Sequence, residues 1–228
     1  MEEKENTQFV TTVIDKINNR ETAKSCEVYV DSSPPFTTAN LNSRLVDGTK
    51  WMRKGERVEF IATDNGAGVK AIYYKINGNE WKKYEMPIVL EKENYSIEFY
   101  SEDNIGNIEA RQYLNLSVDS SPPKIKILSP KKQCFYVAGR EVMHLLGNTN
   151  NIFIIGKTFI QVEAVDESRV DELNIYIDGK LKFKKIGEKT EWIWNERAFG
   201  KHSIKVEAKD LFENSVSEEL DIWVFNII

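Results

Sequence analysis

Apolar residues return at every second position along much of the chain. Val58, Phe60 and Ala62 alternate with Arg57, Glu59 and Ile61, and Ile97, Phe99 and Ser101 alternate with Glu98 and Tyr100. Ile204, Val206 and Ala208 alternate with Lys205, Glu207 and Lys209, and Leu220, Ile222 and Val224 with Asp221 and Trp223. A period of two with one apolar face marks a half-buried antiparallel strand. Asn77-Gly78 and Asp178-Gly179 sit between such runs and supply the positive φ angles that a two-residue hairpin requires. Asn65 to Gly68 forms a looser turn between the strands at Val58 and Ile72. A helical period is nearly absent, and only Gly139 to Leu146 suggests a helical turn. Short strands with turns every ~8–12 residues predict β-sandwiches.

The pattern repeats. Val-Asp-Ser-Ser-Pro-Pro occurs at Val30 to Pro35 and again at Val118 to Pro123, an offset of 88 positions. At that offset Asp15 falls on Asp103, Ile17 on Ile105, Asn19 on Asn107 and Glu21 on Glu109. Asn18 falls on Gly106, and both residue types tolerate left-handed backbone. A further unit carries the same landmarks: Asp210 and Asn214 repeat Asp103 and Asn107, and Ile160 to Asp166 resembles Val58 to Asp64. The chain therefore divides into residues 31–119 and 120–228, two complete sandwiches, and residues 1–30, the closing hairpin of a preceding repeat. The expected fold is all-β, tandem immunoglobulin-like antiparallel sandwiches with an N-terminal partial repeat. An isolated hairpin is marginal in water, so the sequence is expected to begin inside a domain. The paired prolines read as stiff junctions that cannot pair as central strands. Residues 131–157 look like an insertion that lengthens the second sandwich.

Composition narrows the functional classes. Apolar residues make up 41% of the 228, enough for two cores of independently folding size. The net charge is −5 with lysines and acids interspersed, so no basic stripe offers a nucleic-acid face. No apolar run approaches the ~20 residues of a membrane span. The opening Met-Glu-Glu-Lys-Glu-Asn is not a secretory signal. Cys26 and Cys134 fall in different units, and a disulfide needs Cα atoms within about 7 Å, so both are expected to be free, buried thiols.

On these residues the first complete unit resembles the Ig-like repeats of bacterial and archaeal surface proteins. The residues are Asp64, Gly68, Val69, Tyr74, Ile76, Asn77, Gly78, Trp81, Tyr84, Tyr100, Asp103, Gly106, Asn107 and Glu109. The second is similar to a related bacterial Ig-like family at Ala164, Asp166, Ser168, Val170, Tyr176 to Gly179, Trp192, Trp194, Gly200, His202, Ile204, Val206, Ala208, Asp210 and Asn214. It departs at Glu213, where the family prefers glycine. The resemblance covers residues 9–228. It implies a non-catalytic spacer or adhesion segment of a larger extracellular or cell-surface protein, with neighbouring domains and a protein or glycan as partners. It implies no cofactor.

Candidate chemistry is sparse. Asp64, Asp103, Asp166 and Asp210 each close a strand at a corner, where an aspartate accepts backbone N–H bonds. Calcium is the sharper reading, although the four lack the dense spacing of a calcium loop. His144 and His202 are the only histidines, and no nucleophile elbow, zinc-protease helix or phosphate loop accompanies them. Catalysis is therefore not expected. Trp192 and Trp194, two apart on one strand, read either as core anchors or as a stacking platform, and Trp223, set between Ile222 and Val224, reads as the exposed ligand-binding candidate. An exposed aromatic platform would make the segment a carbohydrate- or protein-binding module instead.

Overall fold

The computed structural model describes residues 5–91, 94–147 and 150–227. Every regular element among them is a strand: β1 (Glu5–Thr11), β2 (Lys24–Val30), β3 (Phe36–Asn40), β4 (Arg44–Val46), β5 (Thr49–Arg53), β6 (Arg57–Thr63) and β7 (Val69–Ile76). Then follow β8 (Lys82–Lys83), β9 (Ile88–Val89), β10 (Asn94–Asp103), β11 (Gln112–Asp119), β12 (Lys124–Ser129), β13 (Cys134–Val137) and β14 (Arg140–His144). The last are β15 (Phe153–Ile155), β16 (Thr158–Val165), β17 (Val170–Ile177), β18 (Lys180–Ile186), β19 (Lys189–Trp194), β20 (Ala198–Asp210) and β21 (Ser215–Asn226). No helix among the described residues is long and apolar enough to cross a membrane. The strands form two compact units, residues 1–43 with 55–117, and residues 44–54 with 118–228.

In the first unit β3, β6 and β9 form one layer, and β8, β7, β10 and β11 lie side by side in the other. The alternation seen in the sequence points Val58 and Phe60 inward from β6, and Ile97 and Phe99 inward from β10. The layers meet where Phe60 stacks on Phe99, with ring centroids 4.5 Å apart. The Asn77-Gly78 turn has φ of 51° and 73°, the doubly positive backbone expected of the hairpin. The β1–β2 hairpin pairs in continuous antiparallel register from Glu5–Val30 to Thr11–Lys24. Every side chain from residue 7 to residue 30 is exposed. Cys26 is exposed with them, contrary to expectation, because no second layer among the described residues covers the hairpin face. Cys134 is buried, and both cysteines are free thiols.

The second unit packs the three-stranded sheet β12-β16-β19 against the seven-stranded sheet β14-β13-β15-β21-β20-β17-β18. Ile160, Val162 and Ala164 face Leu173, Ile175, Ile204, Val206, Ile222 and Val224 in one core. Residues 131–157 supply β13, β14 and β15, and β15 joins the sheet by pairing parallel to β21. The helical turn expected at Gly139 to Leu146 is instead strand β14. Ala138 and Gly139, with φ of 50° and 83°, make the β13–β14 hairpin. Its left-handed positions carry Ala-Gly in place of the usual Asn-Gly or Asp-Gly.

Candidate functional site

The corner aspartates are built alike. Asp103 ends β10 and turns its carboxylate back over the following residues. Its Oδ1 accepts from the backbone of Ile105 (2.9 Å), Gly106 (2.7 Å) and Asn107 (2.8 Å), and Asn107 Nδ2 donates to Oδ2 at 2.7 Å. Asp210 at the end of β20 accepts from Phe212 N at 2.7 Å, Asn214 N at 3.0 Å and Asn214 Nδ2 at 2.8 Å. Asp15 accepts from Ile17 N, Asn19 N and Asn19 Nδ2, all at 2.9 Å. The residue before each asparagine has positive φ: 67° at Asn18, 100° at Gly106 and 67° at Glu213. The departure from glycine at Glu213 thus leaves the corner's backbone unchanged.

Two of these corners belong to larger clusters. Asp31, Asp64 and Asp103 bring one carboxylate oxygen each within 4.8 Å of the others, and Asp119, Asp166 and Asp210 do the same. Each triad lies within a single unit. The sequence singled out Asp64, Asp103, Asp166 and Asp210 but not Asp31 and Asp119. The signal for the missing two was present, because both are the aspartate of the duplicated Val-Asp-Ser-Ser-Pro-Pro string. That string reads as a junction, and its carboxylate reaches the site only through long-range packing.

The triads differ in how their oxygens are satisfied. Asp31 Oδ1 accepts from Ser33 N and Oγ, and Oδ2 accepts from Ala67 N at 2.5 Å. Asp64 Oδ2 accepts from Gly66 N at 3.0 Å and Gly68 N at 2.6 Å, while its Oδ1 is buried without a donor. In the second triad Asp166 Oδ1 accepts from Ser168 N and Oγ. Asp119 Oδ1 accepts from Ser121 N at 3.0 Å, but Asp119 Oδ2 is buried without a donor. Electrostatics follow. Burial pushes Asp103 up, but the donors of Asn107, Ile105 and Gly106 outweigh it and leave its pKa below the ordinary aspartate value. Burial pushes Asp210 up, its hydrogen bonds do not compensate, and the Asp119 charge adds to the rise.

The remaining chemistry-bearing side chains among the described residues pair locally. His202 Nδ1 lies 2.7 Å from Asp178 Oδ2, and the His202 ring meets Trp194 edge-on at 5.6 Å. Burial raises Asp178, and the bonds from His202 and Ser203 more than reverse it, so its pKa is lowered. Cys134 Sγ is 3.5 Å from His144 Nδ1, yet burial, and then Glu141, push the thiol up, away from the nucleophilic thiolate.

Trp194, only 4% exposed, is a core residue, and Trp192 packs against the same core while stacking on Phe183. Trp223 is 39% exposed. It stands in register with Phe153 on β15, and its strand neighbour Phe225 with Ile155 and with Phe199 on β20. Phe199 and Phe225 meet edge to face at 5.1 Å. Tyr136, Ile154 and Val224, the residues between, point into the core, so this side of the sheet is a second apolar face turned to solvent.

No protein-family model matches the chain, and no curated protein matches its sequence. Its fold is similar to that of several solved structures. The fibronectin(III)-like modules of Clostridium thermocellum CbhA are 15% identical, with a TM-score of 0.42, over 83% of this chain and 95% of that one. A 1.5-MDa bacterial ice-binding adhesin is 11% identical, with a TM-score of 0.37, over 99% and 76%. The protocadherin GammaB4 extracellular domain is 14% identical, with a TM-score of 0.36, over 96% of this chain and 37% of that one. Likeness of this degree equates the chain with none of them.

Proposed function

We propose that the chain is a non-catalytic spacer or adhesion segment of a larger extracellular or surface protein, built from Ig-like repeats of the bacterial kind its motifs resemble. In this reading residues 31–119 and 120–228 are complete repeats, and residues 1–30 are the closing hairpin of another. The observation that carries it is the recurrence of one hydrogen-bonded corner, Asp15–Asn19, Asp103–Asn107 and Asp210–Asn214. Its most conspicuous polar geometry is spent on fastening strands. Recurrent self-supporting units are the construction of a molecule whose task is reach. Pulling the full chain in a force spectrometer tests this. Two separate unfolding events are expected, each releasing roughly 300–400 Å at about 3.3–3.6 Å per residue. A single cooperative event would sink the reading.

A second reading is favoured by the exposed face around Trp223, Phe225 and Phe199. Aromatic rings standing clear of a sheet can stack on sugar rings or on an apolar protein surface. Under this reading the segment is a carbohydrate- or protein-binding module. Glycan-array binding that disappears in Trp223→Ala would support it, and an array without signal would remove the glycan form of it.

A further inference from the structure

We propose that the second unit binds one calcium ion between the carboxylates of Asp119, Asp166 and Asp210. The decisive observation is at Asp119. The residue is 4% exposed, and its Oδ2 has no donor. A buried carboxylate oxygen left unpaired is costly, and the Asp119 carboxylate brings an oxygen within 4.8 Å of carboxylate oxygens of Asp166 and Asp210. Three converging negative groups with an unsatisfied oxygen among them form a stable arrangement when a hard cation neutralises them.

In the first unit the chain supplies a donor to Asp31, the counterpart of Asp119, and the oxygen left without one is that of the less buried Asp64. From Asp64 to Val69 there are four intervening residues, and from Asp166 to Val170 there are three. The extra residue places Ala67 N on Asp31 Oδ2 at 2.5 Å. The shorter turn of the second unit has no such donor, and Asp119 Oδ2 stays open. Arg169, with φ of 94°, occupies the place of Gly68, with φ of 82°. The shortened turn thus keeps a strained backbone while leaving the cluster unsatisfied.

Calcium suits the donor set. It takes six to eight oxygens at about 2.3–2.6 Å in adaptable geometry, whereas magnesium keeps several waters and rarely takes an all-carboxylate protein cage. Each of the three aspartates already has one oxygen fixed by a backbone donor: Ser121 N on Asp119, Ser168 N on Asp166, and Phe212 N on Asp210. The carboxylates are therefore oriented before any ion arrives.

The test is calorimetric titration of the full chain, stripped with EDTA, with calcium chloride and separately with magnesium chloride. We expect one calcium per chain with a dissociation constant on the order of 10⁻⁴ M, in the range of extracellular modules, and magnesium at least tenfold weaker. Asp119→Asn should weaken calcium at least tenfold, and Asp31→Asn should leave it unchanged. Asp166→Asn, at a less buried position, serves as the second variant, with circular dichroism confirming the fold of each. No calcium heat and no rise in melting temperature at ~10 mM calcium would overturn the proposal. So would a folded Asp119→Asn or Asp166→Asn that binds as the parent does, or magnesium binding as tightly as calcium. Loss of binding in Asp31→Asn would move the ion to the first unit and overturn the assignment.

Discussion

Glu109 and Thr37 are 72 positions apart and bonded twice, Thr37 N to Oε1 at 3.1 Å and Thr37 Oγ1 to Oε2 at 2.6 Å. The same carboxylate accepts from Ser101 N at 3.1 Å and Ser101 Oγ at 2.5 Å, and from Gln112 Nε2. One buried side chain therefore ties β3, β10 and β11 together. Replacing it removes an acceptor from several donors at once. Glu109→Ala is expected to destabilise the first unit by about 3 kcal/mol, given that hydrogen bonds to charged groups contribute about 1.5–3 kcal/mol each and are not additive. Urea unfolding followed by fluorescence measures it, and a loss below about 1 kcal/mol would show that water replaces the carboxylate.

The two units should respond to acid in opposite senses at these carboxylates. Burial raises Glu109, but donors from Ser101, Thr37 and Gln112 outweigh it, so its pKa lies below the ordinary 4.5. Its stabilisation is present above 4.5 and is lost as pH falls through the lowered folded value. Asp210 is raised above 3.8. Between 3.8 and its folded value the native state holds the extra proton, so its contribution to stability grows as pH falls through that window. In calcium-free buffer, subtracting the pH profile of Asp210→Asn from that of the parent isolates this contribution. A parent-minus-variant stability that declines with falling pH in this window would contradict the sign.

The corner at Glu213 is strained where its counterpart is not. Glu213 has φ of 67°, and Gly106 holds the equivalent place. A non-glycine residue in the left-handed region costs about 1–2 kcal/mol, partly offset by the greater chain entropy of glycine. Glu213→Gly should therefore stabilise the second unit by up to about 1 kcal/mol. Arg169→Gly should do the same at φ of 94°. Thermal melts of the two single variants and the double read this out, and unchanged or lowered melting temperatures would show that the side chains contribute contacts worth more than the strain.

Much of this was legible in the sequence because it is local. The period-two runs at Val58, Ile97, Ile204 and Leu220 became half-buried strands, and the Asn-Gly and Asp-Gly pairs became doubly positive hairpins. The aspartate corners follow from five consecutive residues. What escaped depends on distance along the chain. Asp31 meets Asp64 and Asp103, and Asp119 meets Asp166 and Asp210, only after sheets have formed. The apolar face at Trp223 and Phe225 was half visible. Trp223 stands out in the sequence from its place between Ile222 and Val224, but Phe225 and Phe199 join it only through the pairing of β21 with β20. Strand β14 was misread because its hairpin uses Ala138, a residue that rarely takes φ of 50°.

Gly66 is required by a neighbour rather than by its own backbone. A Cβ at this position would stand 1.7 Å from Asp31 Oδ2 and 2.0 Å from its Cγ. Asp31 cannot simply swing away, because Ser33 N, Ser33 Oγ and Ala67 N hold its two oxygens. Gly66→Ala must therefore expel the carboxylate or distort the β6–β7 turn, and overpacking of this kind costs about 1–3 kcal/mol. The double variant Gly66→Ala with Asp31→Ala separates the two effects. If the clash dominates, adding Gly66→Ala to Asp31→Ala should have little further effect on the urea midpoint. If the double variant loses the full sum of both, the turn itself rejects the methyl group and the pairing of Gly66 with Asp31 is not the reason for glycine.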